Sequence, residues 1–172
     1  MHYSNLPTDE VKRLEALRKL KILDSPYEFL FDTITRTISE ICNMPIALIS
    51  FVEQDCQWFK SKIGLDGIIE TPLELAFCAH TMLSNETITV QDASLDDRFK
   101  DNPLVTGEPY IRFYAGAPIM LPLGERIGAL CVMDTQANVL NDYKKTALEG
   151  FAKVISQSLL IRDIHARVIL DH

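Results

Sequence analysis

Seven consecutive residues, Ile46-Ala47-Leu48-Ile49-Ser50-Phe51-Val52, carry no charge and are dense in β-branched side chains, and they constrain the fold more than any other stretch. A run without polar alternation has no solvent side, so it reads as a central strand with cover on both faces. The polar Glu53-Gln54-Asp55 and the mixed Gln57-Trp58-Phe59-Lys60-Ser61-Lys62-Ile63 follow. The two runs predict a hairpin of one central strand and one more exposed strand.

Helices bracket this hairpin. Thr8 can cap a first helix in which Val11, Leu14, Leu17 and Leu20 recur at helical spacing, stopping near Ser25-Pro26. A second helix runs from about Tyr27 to Phe31 through Ile34, Ile38 and Ile41, and Asn43 and Pro45 close it. Gly64 and Gly67 open a loop that Pro72 ends or bends. A short helix is expected from Leu75 to Leu83, a strand over residues 87–90, and a long polar stretch from Gln91 to Pro109 with one helical turn at Leu95-Asp96-Asp97-Arg98-Phe99. Arg112 to Leu121 reads as a strand whose Pro118 calls for a bulge or edge position. Ile127-Gly128-Ala129-Leu130-Cys131-Val132-Met133 reads as its partner, joined through Leu123-Gly124-Glu125-Arg126.

From Asn141 the chain turns helical almost to its end. Leu148, Phe151, Ala152, Ile155 and Leu159 form a stripe fit to pack on a sheet. A second stripe, Ala147, Val154, Ile161 and Val168 with Ile164 beside it, recurs every seven residues and fits either a broad core face or a two-helix seam. The sum is one α+β domain over residues 8–165, with a largely antiparallel sheet, terminal helices on one face and loops over a pocket on the other. Residues 141–170 double as a dimerisation helix if the seam reading holds.

The net charge of −7 argues against a nucleic-acid or anionic-membrane surface and against a polyanionic ligand. No apolar leader opens the chain and no uncharged run reaches bilayer length, so a cytoplasmic setting is expected. Cys42, Cys56, Cys78 and Cys131 lack CxxC spacing and read as reduced thiols.

The segment Phe77-Cys78-Ala79-His80-Thr81-Met82-Leu83 places a thiol and an imidazole two residues apart. On a helix the two point about 200° apart and share neither a metal ion nor a proton. Cys78 then either packs inertly or lines a pocket, and His80 either contacts a ligand or tethers a loop, or is a structural histidine with its hydrogen bonds satisfied. Cys131 sits in an apolar strand where a small thiol packs well. The carboxylates Asp92, Asp96, Asp97 and Asp101 fit turn and cap chemistry, while Arg98 and Arg112 could neutralise them or hold an anionic group. Trp58 is a core or pocket-wall residue. The seven glycines form no phosphate loop.

Five ordered blocks resemble bacterial GAF domains: Pro45 to Val52 with Gln57-Trp58-Phe59-Lys60-Ser61, Phe77-Cys78-Ala79-His80, Asp97 to Val105, Ile111 to Pro118, and Ile127 to Asp134. They are most similar to the subgroup found ahead of diguanylate cyclase, phosphodiesterase and histidine kinase modules. The resemblance implies an antiparallel sheet of five or six strands, a small-molecule pocket beneath loops, and a homodimer formed by the terminal helices. On it, Trp58, Phe77, Cys78, His80, Asp97, Arg98, Asn102, Arg112, Tyr114 and Cys131 are the expected ligand-binding residues. The NKFDE-type signature of cyclic-nucleotide binders is absent, and Glu108-Pro109-Tyr110-Ile111 has no cysteine for covalent bilin attachment. Free methionine sulfoxide reductases share the fold, but the residues before Tyr114 lack their nucleophilic cysteine. The resemblance thus implies a non-catalytic sensor that regulates an output module. A thiol-dependent reductase and a ligand-free dimerisation module are the alternatives.

Overall fold

The computed structural model describes residues 9–26 and 28–171. Its six-stranded sheet has the order β3-β2-β1-β6-β5-β4, built from β1 (Ile46–Val52), β2 (Cys56–Ile63), β3 (Glu70–Pro72), β4 (Ile88–Val90), β5 (Phe113–Met120) and β6 (Arg126–Asp134). Each neighbouring pair is antiparallel. Every residue of β1 is buried, as its uncharged run requires, and β1 and β6 form the centre. The short strand β3 was read from sequence as loop; three residues give no periodicity to detect.

Helices α1 (Glu10–Lys19), α2 (Phe29–Cys42) and α5 (Asp142–Leu170) cover one face. Leu17, Phe31, Ile34, Ile38, Leu148, Ile155 and Leu159 meet Ile49, Phe51, Phe113 and Leu130 there. Burying each such aliphatic side chain contributes about 1.5–3 kcal/mol. Thr8 lies outside the described residues, and Asp9 precedes α1 without a side-chain cap. Val11 was expected in the core stripe but is exposed, because the buried face of α1 carries Arg13, Leu14 and Leu17 instead. The expected start of α2 at Tyr27 falls outside the described residues. Asn43, left-handed at φ 53°, ends α2 as its position before Pro45 suggested. Among the described residues, no helix is long and apolar enough to cross a membrane.

The opposite face is covered by short pieces: single 3-10 turns at Leu73–Leu75 and Ala93–Leu95, α3 (Phe77–Thr81) and α4 (Pro103–Thr106). Helix α3 is shorter than the sequence implied, and the helical turn expected at Leu95 lies slightly later, in the turn at 97–101. Pro118 sits on β5 beyond the end of β4, which pairs only with Tyr114, Ala115 and Gly116, and a register shift follows at Ile119/Met120. Its missing N–H therefore costs the sheet no bond on that side.

Between β1 and β6 the two backbones approach closely at Gly128. A Cβ there would stand 1.9 Å from the Ser50 carbonyl oxygen. Gly128→Ala should therefore destabilise the chain by about 3 kcal/mol, read as a lowered urea midpoint with an unchanged m-value.

Candidate functional site on the loop-covered face

Beneath the loops, the aromatic rings and thiols of several elements converge. The Phe77 ring stacks on Phe99 with centroids 4.4 Å apart and tilts against Tyr114 at 5.3 Å. The Cys78 and Cys131 sulfurs lie 3.8 Å apart, and Tyr114 Oη donates to Cys78 Sγ at 3.4 Å. Tyr114 Oη also shares a 2.6 Å hydrogen bond with Thr81 Oγ1. Gly116, two residues on and so on the same side of β5, makes room for that hydroxyl: a Cβ there would lie 2.2 Å from it.

Burial raises the Tyr114 hydroxyl well above its ordinary value, and burial likewise raises the Cys131 thiol. Cys78 is held lower, first by its hydrogen bond with Cys131 and further by Ser50 and Tyr114, against the opposing effect of burial. Both sulfurs and the tyrosine are fully enclosed, so no solvent path serves a thiolate nucleophile.

His80 leaves α3 on the other side, as the helical angle demands. Its ring meets the Phe99 edge at 4.8 Å, beside Arg98 and Asp96. The motif thus splits: Cys78 faces the sheet, and His80 faces the loop at 96–99.

A second feature of this face lies toward β2 and β3, where a cavity of about 20 Å³ is lined by Leu48, Phe59, Leu65, Ile68, Phe77 and Ile111, among others. Two polar side chains also line it, Gln57 and Thr71, which are cross-strand partners on β2 and β3. Gln57 Oε1 and Thr71 Oγ1 are buried with no hydrogen-bond partner. Each unpartnered group costs about 1–3 kcal/mol, and a cavity of this size holds a single water.

The structure brings Phe77, Cys78, Tyr114 and Cys131 into one cluster, with His80 at its outer edge. Asn102 supports it: its side chain caps α4 by accepting from Leu104 N at 2.9 Å and donates to the Leu75 carbonyl at 3.4 Å. Arg112 Nη1 donates to the carbonyls of Val105 and Ile111 at 2.8 and 3.0 Å and so braces the loop. Three expected residues are elsewhere. Trp58 packs against the helical core, because β-alternation sends Gln57 and Phe59 to the loop face and Trp58 away from it. Asp97 is exposed and pairs with Lys100 at 2.9 Å. Arg98 is bound to Asp96 at 2.8 Å on the surface, with its guanidinium over the Phe99 ring. Gln57 and Thr71 were missed. The one available signal was a polar glutamine two residues before Phe59, on the same face of a mixed strand.

A model of the GAF domain family matches residues 26–159. A cyclic di-GMP phosphodiesterase of Pseudomonas aeruginosa is 41% identical over 150 residues, covering 87% of this chain and 25% of that protein. The chain therefore spans about a quarter of the relative's length. Among solved structures, the GAF domain of an Acinetobacter phosphoenolpyruvate-protein phosphotransferase superposes with TM-score 0.61 at 17% identity, over 94% of this chain and 98% of that one. The free methionine-R-sulfoxide reductase of Neisseria meningitidis, in complex with its substrate, gives 0.64 at 13% identity, over 96% and 98%. At these identities the two structures share the fold.

Burial, aided by the Arg98 cation and opposed by Asp96, lowers the His80 pKa below its ordinary value of 6.5. The unfolded chain then binds the extra proton first, so stability falls as pH drops from 6.5 toward the folded value and is complete above 6.5. His80→Gln should flatten the dependence of the thermal midpoint between pH 7 and 5.5, measured by circular dichroism alongside the parent chain.

Proposed function

We propose, since this chain belongs to the GAF domain family, that it is a non-catalytic sensory module that binds a small molecule, dimerises along α5 and regulates a cyclic di-GMP phosphodiesterase module. The observation that carries this reading is the double role of β2. On the loop face, Gln57 and Phe59 line the cavity. On the helix face, Lys60 Nζ reaches Glu28 at 2.6 Å, and Glu28 also holds Arg162 of α5. A shift of β2 on ligand binding therefore changes the seat of α5 through the buried Lys60 ammonium and the part-buried Glu28–Arg162 pair. A ligand acts in this way only through different affinities for the two arrangements.

The dimer follows from what α5 leaves uncovered. Among the described residues its last deeply buried one is Leu159, yet the helix continues to Leu170. Val154, Ile161, Ile164 and Val168 are between 45% and 60% exposed, too apolar a stripe for a solvated helix. The seven-residue spacing of Val154, Ile161 and Val168 matches the seam of a two-stranded coil, and a second copy supplies an identical stripe. The unpaired thiols Cys42, Cys56, Cys78 and Cys131 fit a reducing cytoplasm.

The phosphodiesterase link rests on the 41% identity with the Pseudomonas relative, whose name gives that activity to a protein of which the match covers 25%. A reductase reading finds less support, because the close pair Cys78 and Cys131 is sealed from solvent.

Sedimentation equilibrium at tens of micromolar should find the chain dimeric. Ile161→Glu, at an exposed position, should make it monomeric while moving the thermal midpoint by no more than a few degrees. A parent chain that stays monomeric, or a dimeric variant, would contradict the seam.

A further inference from the structure

We infer that the cavity at Gln57 and Thr71 is a binding subsite for a compact, uncharged molecule with an apolar body and one hydroxyl group that donates to Gln57 Oε1 and accepts from Thr71. The inference rests on the sensory reading and names the chemistry of its ligand.

Three observations carry it. Gln57 and Thr71 are 3% and 8% exposed, sit opposite each other on β2 and β3, and leave a carbonyl oxygen and a hydroxyl unpartnered in the same cavity. Buried polar groups are satisfied in all but a few cases, so a pair of vacant ones side by side marks a place where something else supplies the partner. A single group that both donates and accepts, such as a hydroxyl, satisfies the two together: it donates to the amide carbonyl and accepts from the threonine.

The remainder of the lining sets the ligand's charge. Among the described residues it contains no ionisable side chain; Leu48, Phe59, Phe77, Leu104, Ile111 and Met133 surround the two polar groups. The two arginines of this layer are committed elsewhere, Arg98 to Asp96 and Arg112 to backbone carbonyls. The nearby Lys62 ammonium is held by the Ile68 carbonyl, so an anionic group placed here loses its hydration and gains no cation from the lining in return. Phosphate esters and carboxylates are thereby disfavoured.

The roof sets the size. At about 20 Å³ the cavity takes one water, and anything larger needs part of the lining to move, for which Leu65 and Ile68 are placed. Both are only half-buried, and they lie on the loop between β2 and β3 whose Gly64 and Gly67 adopt φ of +83° and +78°. The Lys62 ammonium donates to the Ile68 carbonyl and clips this loop to β2. Lifting the two aliphatic side chains opens the space above Gln57 without disturbing the strands beneath. The incoming molecule then supplies the partner that the two polar atoms lack.

The test uses the full 172-residue chain with phenol as probe and benzoate as its anionic counterpart. Phenol at millimolar concentration should raise the thermal midpoint and shift the Thr71 methyl resonance, while benzoate should do neither. Gln57→Met and Thr71→Val should each weaken phenol binding at least tenfold by calorimetry. Gln57→Met should fold at least as stably as the parent without phenol, since it removes a vacant carbonyl at similar length. No methyl shift with phenol, or undiminished binding by Gln57→Met, overturns the subsite and leaves a water site only. Benzoate or cyclic di-GMP binding in a Gln57-dependent way overturns the uncharged class while leaving the sensory reading standing. The dimer test above addresses that reading independently.

Discussion

Lys60 has no partner across the sheet. In the β1–β2 ladder Ile49 faces Ser61 and Ser50 faces Phe59, so the residue between is extruded as a bulge. The consequence is that Lys60 and Ser61, neighbours in sequence, both turn to the helical layer. Ser61 bonds to Thr35 and Asp32 of α2. The Lys60 side chain is 1% exposed, passes over the Phe31 ring, and ends on Ser25 Oγ, the Pro26 carbonyl and Glu28, each at 2.6 Å. An ammonium ion removed from water costs several kcal/mol unless its donors are met. That requirement fixes the chain entering α2, and Glu28 in turn holds Arg162 of α5. One irregularity in one strand thus locks the sheet, α2 and α5 into a single arrangement.

The same strand serves the opposite face. Gln57 and Phe59 enclose the cavity, and Gln57 meets Thr71 across β3. The loop layer is held by its own bonds: Asn102 spans from α4 to the turn at Leu73–Leu75, and Arg112 braces the segment before β5. The thiol and tyrosine cluster around Cys78 completes the floor, while His80 fastens the outer loop through Phe99. The cavity on one side and the helical layer on the other are therefore joined by a single strand, β2, with Gln57 and Phe59 on the first face and Trp58, Lys60 and Ser61 on the second.

Much of this was legible in the sequence. The uncharged run of β1 demanded cover on both sides, and the stripe Leu148, Ala152, Ile155 and Leu159 named the helix that provides it. Helical geometry alone separated Cys78 from His80. What could not be read depends on pairing between distant residues. The bulge at Lys60 exists only relative to β1, so nothing in Trp58-Phe59-Lys60-Ser61 marks it. Trp58 was placed at the pocket on residue type, but alternation along β2 decides the face. Gln57 and Thr71 acquire their meaning only when β3, too short to announce itself, pairs with β2. Arg98 and Asp97 looked available because their partners Asp96 and Lys100 form local pairs that spacing alone does not assign.

The coupling through Lys60 is the claim on which the functional reading most depends, and hydrogen–deuterium exchange on Lys60→Met tests it most directly. The substitution keeps the aliphatic stem and removes the ammonium, leaving Glu28 to Arg162 alone. The account predicts faster exchange in residues 28–35 of α2 and in the turns of α5 around Arg162, together with the residues of β2 that line the cavity. Faster exchange confined to β2 and β1, with α5 unchanged, would contradict it.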